Sequence, residues 1–281
     1  MAGKQVNELD ALPSFTDNSL LPVHNGAGLK KGLLSQLANY LGTKFSNPNL
    51  LINPDFKINQ RGATSYEQQG YSVDRWKILN VTVTPSTSGG ITIKDDKYTD
   101  TGTFIQILEN ATEGDSTLSC YVTSVTGTVT MFADDNTQVV LKQGLNVVHT
   151  SNSTKNFSIF LNRGTSVTIK WAKLEQGKVV TPFVAPNPAE EITKCYRFKY
   201  IGGATLRARC TANQVFGFTK DLPTALRTKP TMTFKSKNSY NVNSVDLSVK
   251  DGNNAIYLAG TAENTNQTVI EVVLDLDAEI Y

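Results

Sequence analysis

From about residue 48 to residue 186, apolar and polar positions alternate along the chain with a period of two. The clearest runs are 80–84, 90–94, 103–108, 118–122, 127–132, 137–141, 156–161 and 166–171. Alternation of this kind puts one face of each strand toward a core and the other toward water. Turn-forming clusters, Ser88-Gly89-Gly90, Glu113-Gly114-Asp115, Asp134-Asp135-Asn136 and Arg163-Gly164, separate the runs at even intervals. Many short strands with regular punctuation predict a sandwich of two antiparallel sheets. The outer face is rich in Thr, so each sheet is expected to be half exposed.

The flanks read differently. Residues 1–46 begin with a short extended stretch over 5–12, then Pro13, an apolar Leu20-Leu21-Pro22-Val23 and a turn at Asn25-Gly26. Leu33, Leu34, Leu37, Tyr40 and Leu41 then recur at helical spacing, and Gly42 is placed to end that helix. At the other end, Pro188 with Glu190-Glu191 favours a short helix start. Strands are predicted again over 198–201, 215–218, 231–234, 255–259 and 268–274. Residues 269–274 are apolar on both faces, which predicts a covering partner. The expected fold class is mainly β, in three parts. These are an N-terminal module with a short helix (1–46), a central sandwich (47–187) and a smaller C-terminal β domain after a short linker helix (188–281).

Composition narrows the partners. The chain has 281 residues, 39% hydrophobic and 19% charged, with the deficit filled by Thr, Ser, Asn and Gly. A net charge of +2, from 27 basic and 25 acidic residues, gives no electrostatic basis for nucleic acid or an anionic membrane. Cys120, Cys195 and Cys210 are odd in number, widely spaced and without nearby His, so neither zinc nor a disulfide framework is indicated. A Cys195–Cys210 bridge stays open at this point. The N-terminal stretch lacks a signal peptide's apolar core, and no apolar run reaches membrane-span length. The expectation is a soluble protein with no membrane insertion, released by some route other than general secretion.

Two motifs carry a family resemblance. The first is Asn49-Leu50-Leu51-Ile52-Asn53-Pro54-Asp55-Phe56, followed by Arg61-Gly62 and Ser72-Val73-Asp74-Arg75-Trp76. The second is Trp171-Ala172-Lys173-Leu174-Glu175-Gln176-Gly177 with Thr181-Pro182-Phe183, continued by Pro188-Ala189-Glu190-Glu191. In that order and at that separation they resemble the opening and close of the jelly-roll, carbohydrate-binding-module-like domain of bacteriophage tail fibres and virion appendages. The N-terminal Leu pattern resembles the particle-attachment module of such proteins. The stretch 222–231 and the ending 275–281 look like their C-terminal domain. The resemblance implies a jelly roll, a homotrimer, virion localisation, and attachment to other virion proteins through Leu33, Leu34, Leu37, Tyr40 and Leu41. It also implies adsorption to a host-surface polysaccharide without catalysis or cofactor. Two readings stand beside it: a purely structural neck, head-fibre or baseplate component, and a bacterial accessory sugar-binding module.

The residues that bear chemistry are few. Trp76 alternates with Tyr71 and Val73, and Trp171 with Val167 and Ile169, so both indoles are expected in the core. Tyr66, Tyr71, Tyr98 and Tyr121 are the remaining candidates for stacking on a sugar ring. Asp95-Asp96 and Asp134-Asp135-Asn136 are the acidic clusters to consider for calcium, which takes oxygen ligands, although adjacent strand-end residues point opposite ways. Asp55 and Glu175 are expected to pair with Arg61 or Arg75, and Arg227 to meet a carboxylate or a backbone carbonyl. The only histidines, His24 and His149, lie in no nucleophile motif, and the long repeat of a parallel β-helix depolymerase is missing.

Overall fold

The computed structural model describes residues 19–24, 29–42, 45–67, 69–95 and 101–280. The chain divides into two compact units, residues 1–47 with 179–184 and residues 48–178 with 185–281.

In the first unit β1 (Leu20–His24) pairs antiparallel with β2 (Leu29–Leu33), and α1 (Leu34–Gly42) follows directly. The predicted turn at Asn25-Gly26 and the stretch 5–12 lie outside the described residues. Leu33 ends β2 and Leu34 opens the helix. Leu37, Tyr40 and Leu41 remain exposed, at 42%, 60% and 42%. Within this unit the Ser46 hydroxyl donates to the Pro182 carbonyl (2.7 Å) and the Asn47 N–H to Thr181 Oγ1 (2.9 Å).

The second unit opens with eleven strands: β3 (Gly70–Tyr71), β4 (Lys77–Leu79), β5 (Thr82–Pro85), β6 (Ile91–Asp95), β7 (Gly102–Ile107), β8 (Ser116–Thr126), β9 (Val129–Phe132), β10 (Gln138–Val140), β11 (Gly144–Thr150), β12 (Asn156–Leu161) and β13 (Thr165–Gln176). They form a six-stranded sheet, β10-β9-β12-β7-β4-β3, and a five-stranded sheet, β11-β8-β13-β6-β5. The antiparallel pairings are nested about one tight connection: β9 with β10, β8 with β11, β7 with β12 and β6 with β13. Successive strands from β6 to β9 alternate between the two sheets. This is the pairing of a jelly roll. Phe104, Met131, Phe157 and Ile159 from one sheet meet Val83, Ile93, Cys120, Val167 and Ile169 from the other in one buried cluster. Trp76 lies fully buried at the centre, stacked on Phe104 at 4.7 Å with Phe56 at 5.1 Å and Phe157 at 5.8 Å. Its indole N–H donates to the Asn53 carbonyl at 3.0 Å, so its one polar group is satisfied.

After this sandwich comes α2 (Pro188–Tyr196), where Asn187 caps the helix by accepting from the Ala189 N–H and Pro188 occupies the first turn. Six strands follow: β14 (Lys199–Cys210), β15 (Val215–Asp221), β16 (Thr231–Tyr240), β17 (Val242–Val249), β18 (Ala255–Ala262) and β19 (Asn266–Asp277). They build two three-stranded sheets, β14-β19-β16 and β15-β18-β17, over a second buried cluster that includes Ile256, Leu258, Ile270 and Leu274. The sequence places a strand at 231–234; β16 runs on to Tyr240 and β17 was not foreseen. Lys, Ser and Asn fill residues 235–239, so alternation fades there, whereas β17 carries a short alternation over 245–249 that was overlooked. All three cysteines are free and buried, so Cys195 and Cys210 form no bridge.

The jelly roll and the C-terminal sandwich, parts of one compact unit, meet through buried polar groups. Arg75 is 1% exposed; its Nη1 donates to Glu279 (2.6 Å), its Nη2 to the Ile107 carbonyl (2.6 Å), and its guanidinium lies 3.7 Å over the Phe198 ring. Arg61 adds contacts to Glu279 (3.5 Å) and Asp277 (3.8 Å). Gln60 donates to the Lys199 carbonyl (2.7 Å), and Glu191 accepts from the Asn53 N–H (2.5 Å). Arg227 donates to the Ala278 and Glu279 carbonyls, both at 3.0 Å, one of the two partner types expected of it. The pairing expected of Asp55 and Glu175 is corrected. Asp55 pairs with Lys57 (2.8 Å) and Glu175 with Lys173 (3.1 Å), because the carboxylates that reach Arg61 and Arg75 come from the far end of the chain.

Burial alone works to raise the pKa of Asp277. The Glu279 backbone N–H and the charges of Lys199 and Arg61 outweigh it and hold the carboxyl below its usual 3.8. A carboxylate with a depressed folded pKa stabilises the fold above its unfolded value and loses that contribution as pH falls through the folded value. Asp277→Asn is therefore expected to cost stability at neutral pH and progressively less below 3.8. Urea denaturation of both proteins at the two pH extremes checks the sign.

Candidate functional site

The outer face of the five-stranded sheet carries the aromatic surface that the alternation pattern hid. On β8, Cys120 and Val122 point into the core, so Tyr121 between them points out and is 40% exposed. On β13, Val167 and Ile169 face the core, but so do Ala172 and Leu174. The inward phase slips by one residue because the β8–β13 register shifts between Ile169 and Trp171, leaving Lys170 as the extra residue. A bulge of this kind re-aims every side chain beyond it. The expectation of a core Trp171 is therefore corrected: the indole is half-buried on the outer face, directly opposite Tyr121. Their ring centroids are 6.1 Å apart with planes inclined by 30°. Leu145 of β11, 52% exposed, opposes Tyr121 from the other side. Leu145, Tyr121 and Trp171 thus form one row across three adjacent strands.

Polar groups flank the row. Exposed Lys170 occupies the bulge, and exposed Thr123 donates its hydroxyl to the Thr168 carbonyl at 3.2 Å. Toward the other end of β8, Thr117 Oγ1 lies 2.8 Å from His149 Nδ1. Such a surface offers flat apolar faces beside hydrogen-bonding groups, which suits the C–H face and hydroxyl edge of a pyranose ring.

The other tyrosines are placed differently. The Tyr66 hydroxyl donates to Asn59 Oδ1, its ring packs on the jelly-roll core, and its phenol pKa is raised by burial. The Tyr71 hydroxyl donates to the Ile280 carbonyl, and burial, reinforced by Glu279, pushes its pKa up to about 12. Both hydroxyls are engaged within the fold, and neither ring joins Tyr121. Tyr98 lies outside the described residues.

No protein-family model matches this chain, and no curated protein matches it either.

The acidic clusters are also placed. Asp134 accepts from the Lys155 N–H (2.6 Å) and Asn156 Nδ2 (2.7 Å). Asp135 accepts from the Thr137 N–H (3.0 Å), Asn152 Nδ2 (3.1 Å) and the Thr150 hydroxyl (2.5 Å). These carboxylates serve as turn acceptors. Asp95 is buried, and Asp96 lies outside the described residues. Among the described residues, no group of three His, Cys, Asp or Glu is placed to hold a metal ion. What the sequence reading missed, the partnership of Trp171 with Tyr121, depends on two neighbouring register shifts, one leaving Thr123 extra on β8 and the next leaving Lys170 extra on β13. No local signal marks it.

Proposed function

We propose that this chain is a non-enzymatic bacteriophage virion protein, of tail-fibre, spike or collar type, that captures a host-surface polysaccharide. The observation that carries the reading is the row Leu145–Tyr121–Trp171 on the outer face of a jelly roll. The bracketing motifs at 49–56 with 72–76, and at 171–183, support it through their resemblance to virion appendages. Exposed Leu37, Tyr40 and Leu41 suit docking of the N-terminal module to another virion protein. Capture needs no covalent step. A row of this size yields weak single-site affinity, and a homotrimer would present three copies, which multiplies avidity without new contacts.

Binding of the full chain to purified cell-wall polysaccharides, read on a glycan array and by co-sedimentation, tests this. Losing the Tyr121 ring removes an apolar contact worth ~1–2 kcal/mol, so Tyr121→Ala is expected to weaken each site about tenfold. Trp171→Ala should behave alike. Wild-type binding by both variants would refute the row as the capture surface. Absence of any polysaccharide binding, with the row covered by a neighbouring subunit in assembled particles, would favour the purely structural virion role.

A further inference from the structure

The outer face of the five-stranded sheet continues beyond the row Leu145–Tyr121–Trp171. Thr123 and Lys170, the extra residues of the two register shifts, lie next to the row, and both are exposed. Ile169 and Ala172 face the core, so Lys170 emerges beside Trp171 on the solvent side. Further along the strands, β6, β13 and β8 bring Thr92, Thr168 and Ser124 into one register row, then Lys94, Ser166 and Thr126 into the next. The Thr92 and Thr168 hydroxyls meet at 3.0 Å, while Ser124, Thr126 and Lys94 are exposed. A polymer lying along β13 would pass the aromatic row, Lys170, a band of hydroxyls and Lys94 in turn, over roughly 13–17 Å at the rise of a strand.

The charge of this face is one-sided. Its five strands carry two carboxylates, Asp95 and Glu175; both are buried, and Glu175 is paired with Lys173 at 3.1 Å. Lys94 and Lys170 form no ion pair among the described residues. Exposed cations elsewhere on the surface do have one: Arg197 with Glu109, Arg207 with Glu271 and Lys178 with Asp115. A chain of net charge +2 thus sets a local positive field where its flat aromatic surface lies.

We propose that the polysaccharide captured here is anionic, a pyranose polymer bearing carboxylate or phosphodiester groups. This deepens the capture reading above and rests on it. One ring stacks through its C–H face on Tyr121 and Trp171, and the anion of that unit or the next meets Lys170. The hydroxyls of Ser124 and Thr126 donate to the polymer's oxygens, and Lys94 receives a second anion further along. A neutral polymer keeps the stacking and loses the charge contacts, so selectivity runs anionic over neutral. Contacts between exposed charges are individually weak and screened by salt. Repetition along the polymer and across subunits multiplies them.

Co-sedimentation of the full chain with purified cell-wall polysaccharides, each in native, carboxyl-reduced and phosphate-stripped form, tests the proposal. The polymers retained should be anionic, and one of the two treatments should weaken binding about tenfold or more, which identifies the anion. Lys94→Gln with Lys170→Gln should reproduce that loss on the native polymer and leave binding of the neutralised polymer unchanged. Lys94→Arg with Lys170→Arg should preserve native binding. Raising the salt from about 0.05 to about 0.5 M should weaken the wild type severalfold and the double glutamine variant little. Retention that survives both treatments would overturn the anionic assignment while sparing capture. So would retention that the glutamine pair leaves intact and Tyr121→Ala abolishes. A single-stranded DNA oligomer held as tightly as the polysaccharide would overturn the assignment to a sugar polymer. Retention of no polysaccharide in any form would sink the capture reading itself.

Discussion

Glu279→Ala is expected to cost about 3–5 kcal/mol, because it leaves the Arg75 charge buried without its partner. Both side chains of the pair are at or below 1% exposure, so water cannot step in without opening the junction. Arg61 loses its Glu279 contact in the same variant and keeps the 3.8 Å approach to Asp277, the Ser72 carbonyl at 3.5 Å and the Tyr71 ring at 5.5 Å. The loss falls on the seam between the jelly roll and the C-terminal sandwich, each of which has its own buried cluster. Calorimetry should therefore show the wild-type transition broaden or divide into two, the mark of weakened coupling. Replacing both partners by apolar residues of similar size, Arg75→Met with Glu279→Leu, should recover much of the loss, since neither charge then needs compensation. A cost near 1 kcal/mol for Glu279→Ala, typical of a surface pair, would mean the seam is wet.

Trp76→Ala should cost about 3–5 kcal/mol, the usual range for deleting a fully buried aromatic. The indole touches Phe56, Phe104 and Phe157, which hang from separate elements and cannot close on the space it leaves. Its loss also strips the Asn53 carbonyl of its hydrogen bond. Trp76→Phe keeps most of the contact area but not the N–H, so about 1–2 kcal/mol should remain. Urea denaturation followed by fluorescence is convenient, because Trp171 is then the only tryptophan left. A midpoint shift of the alanine variant no larger than that of Trp76→Phe would contradict a central packing role.

The sheets were legible because half-exposed strands print their two faces directly on the chain. Runs such as 90–94 and 156–161 became β6 and β12, with Ile93, Phe157 and Ile159 inside as their period required. Trp76 was expected in the core and lies there. Trp171 was misplaced because the period-two argument assumes an unbroken ladder, and the register shift at Lys170 reverses the phase. The seam was equally hidden. Arg75 and Glu279 are 204 positions apart, and an ion pair over such a separation leaves no periodic trace. Asp55 and Glu175, nearer to the arginines in the expected sandwich, were plausible only for want of that knowledge. Tyr121 was one tyrosine among four; its alternation with Cys120 and Val122 already placed it outward. The pair of register shifts between β8 and β13 supplied its neighbour.

The concentric order of hydrogen-bonded partners governs how this polypeptide is born. β6 lies between β13 and β5, and β13 also runs beside β8, so the middle of one layer stays open until residues 165–176 have left the ribosome. Closure must span some seventy positions at once, a long-range topology that slows folding to about milliseconds to seconds. Until then Ile91, Ile93, Leu118 and Val122 stand uncovered on the nascent chain. That interval, rather than the folded state, is where chaperones would meet this protein.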